Sequence, residues 1–379
     1  MDPGFALYIH WPFCLSKCPY CDFNSHVADH IDHTRWRDAL LAELDHYGTE
    51  TAGRKLTSVF FGGGTPSLME ADTIEALLGK LDTYWSRDEN LEITLEANPT
   101  SIEAGRFRDF KAAGVNRVSI GVQSFDDTAL GYLGREHSAR EAMAALELAD
   151  EIFSRFSFDL IYALPDQTAE GWRNELEGTL KLGGDHMSLY QLTIEPGTPF
   201  FRDGRKTLDE DHAADLFEIT REIMEPAGKP AYEISNHACP GGECRHNLTY
   251  WLGGDYVGIG PGAHGRLTQS GQTTATHQIH NPGSWLESVT NKGHGTAKRR
   301  PLAPQIRAQE LVMMGLRLTK GLEISRFEQQ SVCRFETVVD AGGLTQMIDG
   351  GFLEQTGDTL RTTPNGRLCL NAVLGRLLG

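Results

Sequence analysis

The sequence predicts an α/β protein: a largely parallel sheet followed by a small helical, winged-helix-like C-terminal domain. Two observations carry that expectation. Short apolar, β-rich runs alternate with helix-patterned stretches through the first half of the chain, an order that implies parallel pairing by right-handed crossovers. Past residue 300, helical patterns come first and a hairpin pattern follows. About six strand–helix units make a sheet that is either doubly wound or curled into an incomplete barrel.

The strand-like runs are Ala6–Trp11, Ser58–Phe61, Leu91–Leu95, Arg117–Val122, Phe156–Ile161 and Met187–Leu192. Helical patterns separate them at Trp36–Tyr47, Ala71–Leu81, Glu103–Ala113, Arg140–Phe153 and Glu170–Leu182. A long amphipathic helix over Leu208–Glu225 and a further strand over Ala231–His237 come next. Residues 266–300 are polar with little apolar periodicity, and read as an irregular connection. Regular patterns resume with helices at Ile306–Leu318, Ile324–Gln329 and Val332–Gly342. A hairpin over Phe352–Thr363, turning at Gly357-Asp358, and a closing helix over Gly366–Leu378 complete the chain. The expected division is therefore 1–230 for the main α/β domain, 231–300 for an extension and linker, and 301–379 for the C-terminal domain.

Composition narrows the function. With 40% apolar and 23% charged residues the 379-residue chain has the make-up of an ordinary soluble protein. No run approaches the ~18 apolar residues of a membrane span, and no basic-then-apolar signal opens the chain. A net charge of −17 leaves no electrostatic footprint for nucleic acid. The C-terminal domain lacks a basic recognition face, so a packing or lid role is expected of it. The cysteines cluster instead of spreading in pairs, which suits a reducing, cytoplasmic setting.

Three of the seven cysteines, Cys14, Cys18 and Cys21, fall within eight residues directly after the first strand. Three thiolates on one short loop can converge on one inorganic centre. An iron–sulfur cube held by three would leave one iron open, whereas a zinc site would need His10 or His26 as its fourth ligand. The spacing favours the open cluster over zinc, and zinc over unrelated core cysteines. The later strands also end in residues able to hold a ligand. Gly62-Gly63-Gly64-Thr65-Pro66 exposes backbone amides but is no P-loop. Glu96-Ala-Asn98, Gln123-Ser124 and Asp159 follow on successive strands. Taken alone, each reads as a turn or a solvated residue, and Arg135 as an ordinary helix-end ion pair.

Together, the cysteine loop, the Gly-Gly-Gly-Thr-Pro turn, Glu96, Gln123, Arg135 and Asp159 resemble the radical S-adenosylmethionine (SAM) superfamily. Within it they are similar to the branch that holds the oxygen-independent coproporphyrinogen III oxidases and the HemW-type haem chaperones. The resemblance runs from Tyr8 through the C-terminal domain and implies a partial (β/α)6 barrel. It implies a 4Fe-4S cluster on Cys14, Cys18 and Cys21, whose open iron chelates the methionine part of SAM for cleavage to a 5′-deoxyadenosyl radical. By the same resemblance Tyr8 lies beside cluster and SAM, and Tyr20 against the adenine. Gly63, Gly64 and Thr65 line the methionine end, and Glu96 faces the ribose. Gln123, Arg135 and Asp159 match residues that hold a second SAM in the oxidase.

Two departures separate the chain from the oxidases. They carry a fourth cysteine two positions after the triplet, where Phe23 stands here, and a long extension ahead of the cluster, where thirteen residues precede Cys14. The run Arg245-His246-Asn247-Leu248-Thr249-Tyr250-Trp251 matches the His-Asn-x-x-Tyr-Trp signature of the haem chaperones. It offers an imidazole for haem iron, aromatic faces for a porphyrin and Arg245 for a propionate. On composition alone the same run reads as a packed loop with a structural histidine. Cys239 and Cys244 flank it as further soft-ligand candidates, while Cys333 and Cys369 read as core. The resemblance implies haem as cargo, respiratory haem-accepting proteins as partners, and a homodimer linked by haem. Decarboxylation of coproporphyrinogen III is the competing expectation.

Overall fold

The computed structural model describes residues 2–379. Its organising element is β1 (Phe5–Trp11), in which all residues but Tyr8 are fully buried. That burial has a topological cause: β1 is an interior strand with parallel neighbours on both sides. It pairs with β2 (Lys55–Gly63) from Ala6↔Ser58 to Trp11↔Gly63, and with β8 (Asp255–Ile259) from Phe5↔Asp255 to Ile9↔Ile259. Outward from β2, the strands β3 (Ser86–Ala97), β4 (Arg117–Gln123), β5 (Arg155–Tyr162) and β6 (His186–Gln191) add in chain order, all parallel. This is the expected six-strand parallel unit. An antiparallel strand β7 (Asn236–Ala238) extends it on one side. On the other, β9 (His264–Gln269), β10 (Gln272–Gln278) and β11 (Thr296–Pro301) follow β8 antiparallel, giving one eleven-stranded sheet.

The crossover helices form where caps and apolar spacing agree. In α1 (His33–Glu50) the Asp32 side chain accepts from the Arg35 amide, and Trp36, Ala39, Leu40, Leu44 and Tyr47 bury one stripe. Of the crossovers that follow, α2 spans Ala71–Lys80 and α3 spans Ala139–Ile152. A reciprocal Ser138–Glu141 capping box opens α3, and Ala142, Ala145, Leu146 and Ala149 pack at helical spacing. Then come α4 (Ala169–Thr179) and α5 (Glu210–Met224). The helix expected over Glu103–Ala113 is two short ones, Ser101–Ala104 and Phe107–Ala112, interrupted at Gly105.

The expected irregular connection over 266–300 is instead ordered, as β9 to β11 with helix α7 (Pro282–Lys292). Its strands hid from apolar periodicity because their buried residues include Thr273, Thr276 and Gln278. The Gln278 amide nitrogen donates to the Tyr47 hydroxyl at 2.8 Å and the Gly258 carbonyl at 3.1 Å, while its side-chain oxygen and the Thr276 hydroxyl are buried without partners, so polar burial here is only partly matched. The strand expected over Ala231–His237 is likewise short, with a single bridge from Ala231 to His237.

The C-terminal region packs its own apolar cluster, from Ala308 to Leu377, separate from that of the sheet. It contains α8 (Pro304–Gly315), β12 (Leu322–Glu323), α9 (Ile324–Ser331), α10 (Ala341–Asp349), the hairpin β13 (Leu353–Thr356) and β14 (Thr359–Thr362), and α11 (Leu370–Leu378). The helix expected over Val332–Gly342 is absent because Val332 takes a left-handed conformation that ends α9, and α10 starts afresh at the Asp340 cap. The closing helix breaks at Cys369. Cys333 and Cys369 pack against the cluster, as expected.

One buried carboxylate ties the antiparallel extension to the barrel. Glu43 of α1 accepts hydrogen bonds from the Gly260 amide at 2.8 Å, the Gly295 amide at 2.6 Å and the Trp285 indole at 3.0 Å. Burial outweighs these donors and pushes its pKa up to about 7. Its folded pKa exceeds the unfolded value, so its contribution is fully present below about pH 4.5 and lost as the pH rises through about 7. Chemical denaturation should therefore show a smaller stability loss between pH 5 and 8 for Glu43→Gln than for the parent. At pH 5 the variant should be destabilised by about 1–3 kcal/mol through a mismatched amide.

Candidate functional site

The strands present alternate residues to the two faces of the sheet, and the inner face is polar. Glu92, Thr94 and Glu96 of β3 face inward, as do Arg117, Ser119 and Gln123 of β4, and Ser157 and Asp159 of β5. The intervening Ile93, Leu95, Val118, Ile120, Phe156 and Phe158 are buried. At the C-terminal ends of the strands the inner residues surround a cavity of about 460 Å³. Its lining includes Cys14, Cys18, Cys21, Tyr20, Gly63, Gly64, Thr65, Glu96, Gln123, Arg135 and Asp159. One cavity thus gathers every residue expected around the cluster and SAM except Tyr8.

The cysteine loop is held by the glycine turn. The Gly64 amide donates to the Trp11 carbonyl at 2.7 Å and the Thr65 amide to the Phe13 carbonyl at 2.8 Å. A Cβ on Gly64 would lie 2.7 Å from the Phe13 oxygen, and one on Gly63 would lie 2.6 Å from the His10 ring. The glycines are therefore needed for close approach of two backbones, more than for bare amides. The thiols are free, and Arg135 donates to the Cys18 sulfur at 3.3 Å. Burial raises the pKa values of Cys14 and Cys21. The sulfurs face a common cavity without converging on one point: among the described residues no three metal-ligating groups approach closely enough to chelate a single ion. Three free thiols on one wall, with a guanidinium against one of them, fit a cluster that takes three thiolates.

Arg135 is no helix-end ion pair. Its guanidinium is buried and donates to the Asn98 side-chain oxygen at 2.6 Å and the Gly121 carbonyl at 2.9 Å. Asn98 in turn donates to Thr65 at 3.3 Å, linking Arg135 to the glycine turn. Gln123 has a left-handed φ of 71°, and its buried side-chain oxygen has no partner, a strained and unsatisfied group aimed at the cavity. Glu96 accepts from the Gly63 amide at 3.1 Å. Burial, with a contribution from Asp159, raises its pKa to about 8, and burial raises that of Asp159 to about 6.

A second cavity, of about 490 Å³, shares Phe23, Gly63 and Glu96 with the first. Tyr8 lines this one, its hydroxyl bonded to His10 Nδ1 at 3.0 Å while His10 Nε2 donates to the Asn24 carbonyl at 2.9 Å. Helix α6 (Arg245–Trp251) carries the His-Asn-x-x-Tyr-Trp run into the barrel interior and brings Tyr250 and Trp251 to the second cavity. Glu92 caps this helix, accepting from the Arg245 amide at 2.9 Å and the His246 amide at 3.4 Å. Asn247 faces Tyr232, away from the cavity wall.

Two expectations for this run are corrected. His246 is 2% exposed, with Nδ1 bonded to the Ser58 hydroxyl at 3.1 Å and Nε2 to the Tyr250 hydroxyl at 2.5 Å. Burial lowers its pKa to about 3, so the ring is neutral, but both nitrogens are taken and none is offered to iron. Arg245 pairs with Asp88 at 2.9 Å and does not line the cavity. Cys244 is buried inside the barrel, where its pKa is pushed up to about 12.

The chain matches the radical SAM superfamily over residues 8–177 and the HemN C-terminal domain over residues 302–369. It is 38% identical to the heme chaperone HemW of Escherichia coli, covering 98% of this chain and 97% of that one. The chain belongs to the HemW family of the radical SAM superfamily. Another family relative, the mitochondrial radical S-adenosyl methionine domain-containing protein 1 of Bos taurus, is 41% identical over 86% of this chain and 75% of its own. The fold of this HemW-family chain is that of the E. coli coproporphyrinogen III oxidase HemN: TM-score 0.84, 23% identity, 98% of this chain and 89% of that one covered.

Glu92 and Arg117 were not among the expected site residues, although for Glu92 the alternation Leu91-Glu92-Ile93-Thr94-Leu95-Glu96 carries the signal. The packing of the glycine turn is directly testable. Gly64→Ala should keep the parent's circular dichroism but take up less than about half its iron and sulfide on anaerobic reconstitution, since its methyl displaces the Phe13 backbone. Full loading of this variant would show that the turn does not position the cysteine loop.

Proposed function

We propose that this chain is a haem chaperone that binds haem beside a 4Fe-4S cluster and SAM and passes the haem to respiratory acceptor proteins. One observation carries the reading: helix α6 brings Tyr250 and Trp251 to a cavity that shares a wall with the thiol cavity. Flat aromatic faces with polar tips suit a porphyrin. Phe23, 59% exposed and common to both cavities, adds apolar surface where an oxidase has a further cysteine. Two relatives aligned over nearly the whole chain, the heme chaperones HemW of E. coli and Haemophilus influenzae, support the same reading.

In this proposal Cys14, Cys18 and Cys21 ligate the cluster. Gly63, Gly64 and Thr65 line the methionine end of SAM, Glu96 accepts from its ribose, and Tyr20 flanks the adenine. When bound, the cluster and SAM supply one-electron chemistry. Gln123, Arg135 and Asp159 line the rest of that cavity, where Arg135 also orients Cys18 through its hydrogen bond. Tyr250 and Trp251 hold the porphyrin, while His246 fixes the Tyr250 hydroxyl and Asn247 packs the helix from behind. The free cysteines suit work in the cytoplasm. Haem shared between two copies would link them as a homodimer.

The likeness of the fold to HemN keeps decarboxylation of coproporphyrinogen III as the competing reading. The two separate in one anaerobic experiment on reconstituted full-length protein with SAM and a reductant, scored for protoporphyrinogen and for haem transfer to an apo-acceptor. Haem transfer without protoporphyrinogen is expected. Tyr250→Ala and Trp251→Ala should each weaken haem binding about tenfold in a spectroscopic titration. Protoporphyrinogen formation with no haem uptake would overturn the chaperone reading.

A further inference from the structure

The second cavity contains imidazoles that the reading above leaves unused. His264, at the start of β9, and His280, just beyond β10, both line it. His277 lies behind, its ring stacked on that of His264 with centroids 4.1 Å apart. None of these three rings has a hydrogen-bond partner within the chain among the described residues, and Nε2 of His277 is buried without one. His10 and His246, the other imidazoles beside this cavity, have both nitrogens engaged.

The backbone explains how His264 reaches the cavity. A Cβ on Gly258 would lie 2.0 Å from the His264 oxygen, and one on Gly260 would lie 2.3 Å from the His10 oxygen. Gly258 within β8 thus lets the start of β9 close down on β8, Gly260 lets the following turn close on β1, and His264 comes to the cavity rim. On another wall Arg266 and Arg307 both pair with Glu310, at 2.9 and 3.4 Å. Two guanidiniums share one carboxylate there, which leaves a net positive charge on that wall. Free imidazoles, the Tyr250 and Trp251 faces and a cationic wall supply the three kinds of contact that an iron porphyrin with carboxylate side chains makes.

We infer that His264, not His246, is the axial ligand to haem iron in this chain, with His277 as a positioning residue that fixes the His264 ring and the Arg266–Arg307 wall facing the propionates. The inference rests on the haem-chaperone reading and names the ligand that reading lacks. His277 supports the ring by stacking alone and touches no iron.

The test is a haem titration of the full-length protein followed by Soret absorption and electron paramagnetic resonance. The parent should show an imidazole-ligated spectrum. His264→Ala should lose that spectrum and bind haem about tenfold more weakly, and added imidazole should restore both, which a misfolded variant would not allow. His246→Ala should keep the imidazole-ligated spectrum even where its affinity falls. His277→Ala should keep the ligand but broaden or shift the resonance signals as the His264 ring loses its fixed orientation. The inference is overturned if His264→Ala retains the parent's spectrum and affinity, or if His246→Ala or His280→Ala alone abolishes the spectrum and regains it with imidazole. A parent chain that takes up no haem at all would instead overturn the chaperone reading beneath it.

Discussion

The arrangement of both cavities depends on one buried carboxylate, that of Glu92. One of its oxygens takes the amides at the start of α6, and the other accepts from Arg155 at 2.9 Å. Arg155 continues to Asp185 at 2.6 Å and to the Gly242 carbonyl at 2.8 Å, so two strands and the segment leading into the helix meet at this point. An anion at a helix N-terminus is favoured by the helix dipole, and inside a protein that preference is screened little by solvent. Four residues further along the same strand face, Glu96 borders both cavities. A single strand therefore fixes helix α6, which plugs the barrel interior, at one end and the cavity wall at the other.

The plug gives a polar barrel interior a purpose. Arg117 is wholly buried and donates to Ser157 at 2.7 Å and Thr94 at 3.3 Å, with Cys244 of the motif segment close by. Ser58 takes one face of His246 and Tyr250 the other. These groups satisfy one another in large part, although the Arg117 Nε is buried without a partner. The His-Asn-x-x-Tyr-Trp run is thus half structural, with His246 and Asn247 facing inward and Tyr250 and Trp251 facing the cavity. The structural reading fits that histidine, while its aromatic neighbours on the same helix line the cavity where the proposed haem site lies.

The parallel sheet and the thiol cavity were legible in the sequence because each rests on local features. The six strands are apolar enough on their outer face to stand out, and Cys14, Cys18 and Cys21 share one short loop. The glycine turn, Glu96, Gln123 and Asp159 could be placed by strand order alone, since successive parallel strands present their ends on one edge. The second cavity was not legible, for two physical reasons. Its far wall includes the start of β9, which is held in place by β10, a strand whose buried Thr and Gln residues carry no apolar periodicity. Its imidazoles, His264 and His280, come together with Tyr8 and Tyr250 only when β8 pairs with β1 and the antiparallel strands fold back beyond β8. Arg245 misled for a related reason: the sequence shows its neighbours in the run but not Asp88, which lies over 150 positions away and captures it.

Phe23, Gly63 and Glu96 belong to both cavities, so the two share part of one wall. A ligand that shifts Glu96 or turns Phe23 from one side changes the shape and charge met by a ligand on the other. Thermodynamic linkage makes such an effect reciprocal: whatever factor the first occupant applies to the affinity of the second, the second applies to the first. If the proposed function holds, such a carrier would need no long-range conformational relay to couple loading with release, because its two guests would be neighbours across a common partition.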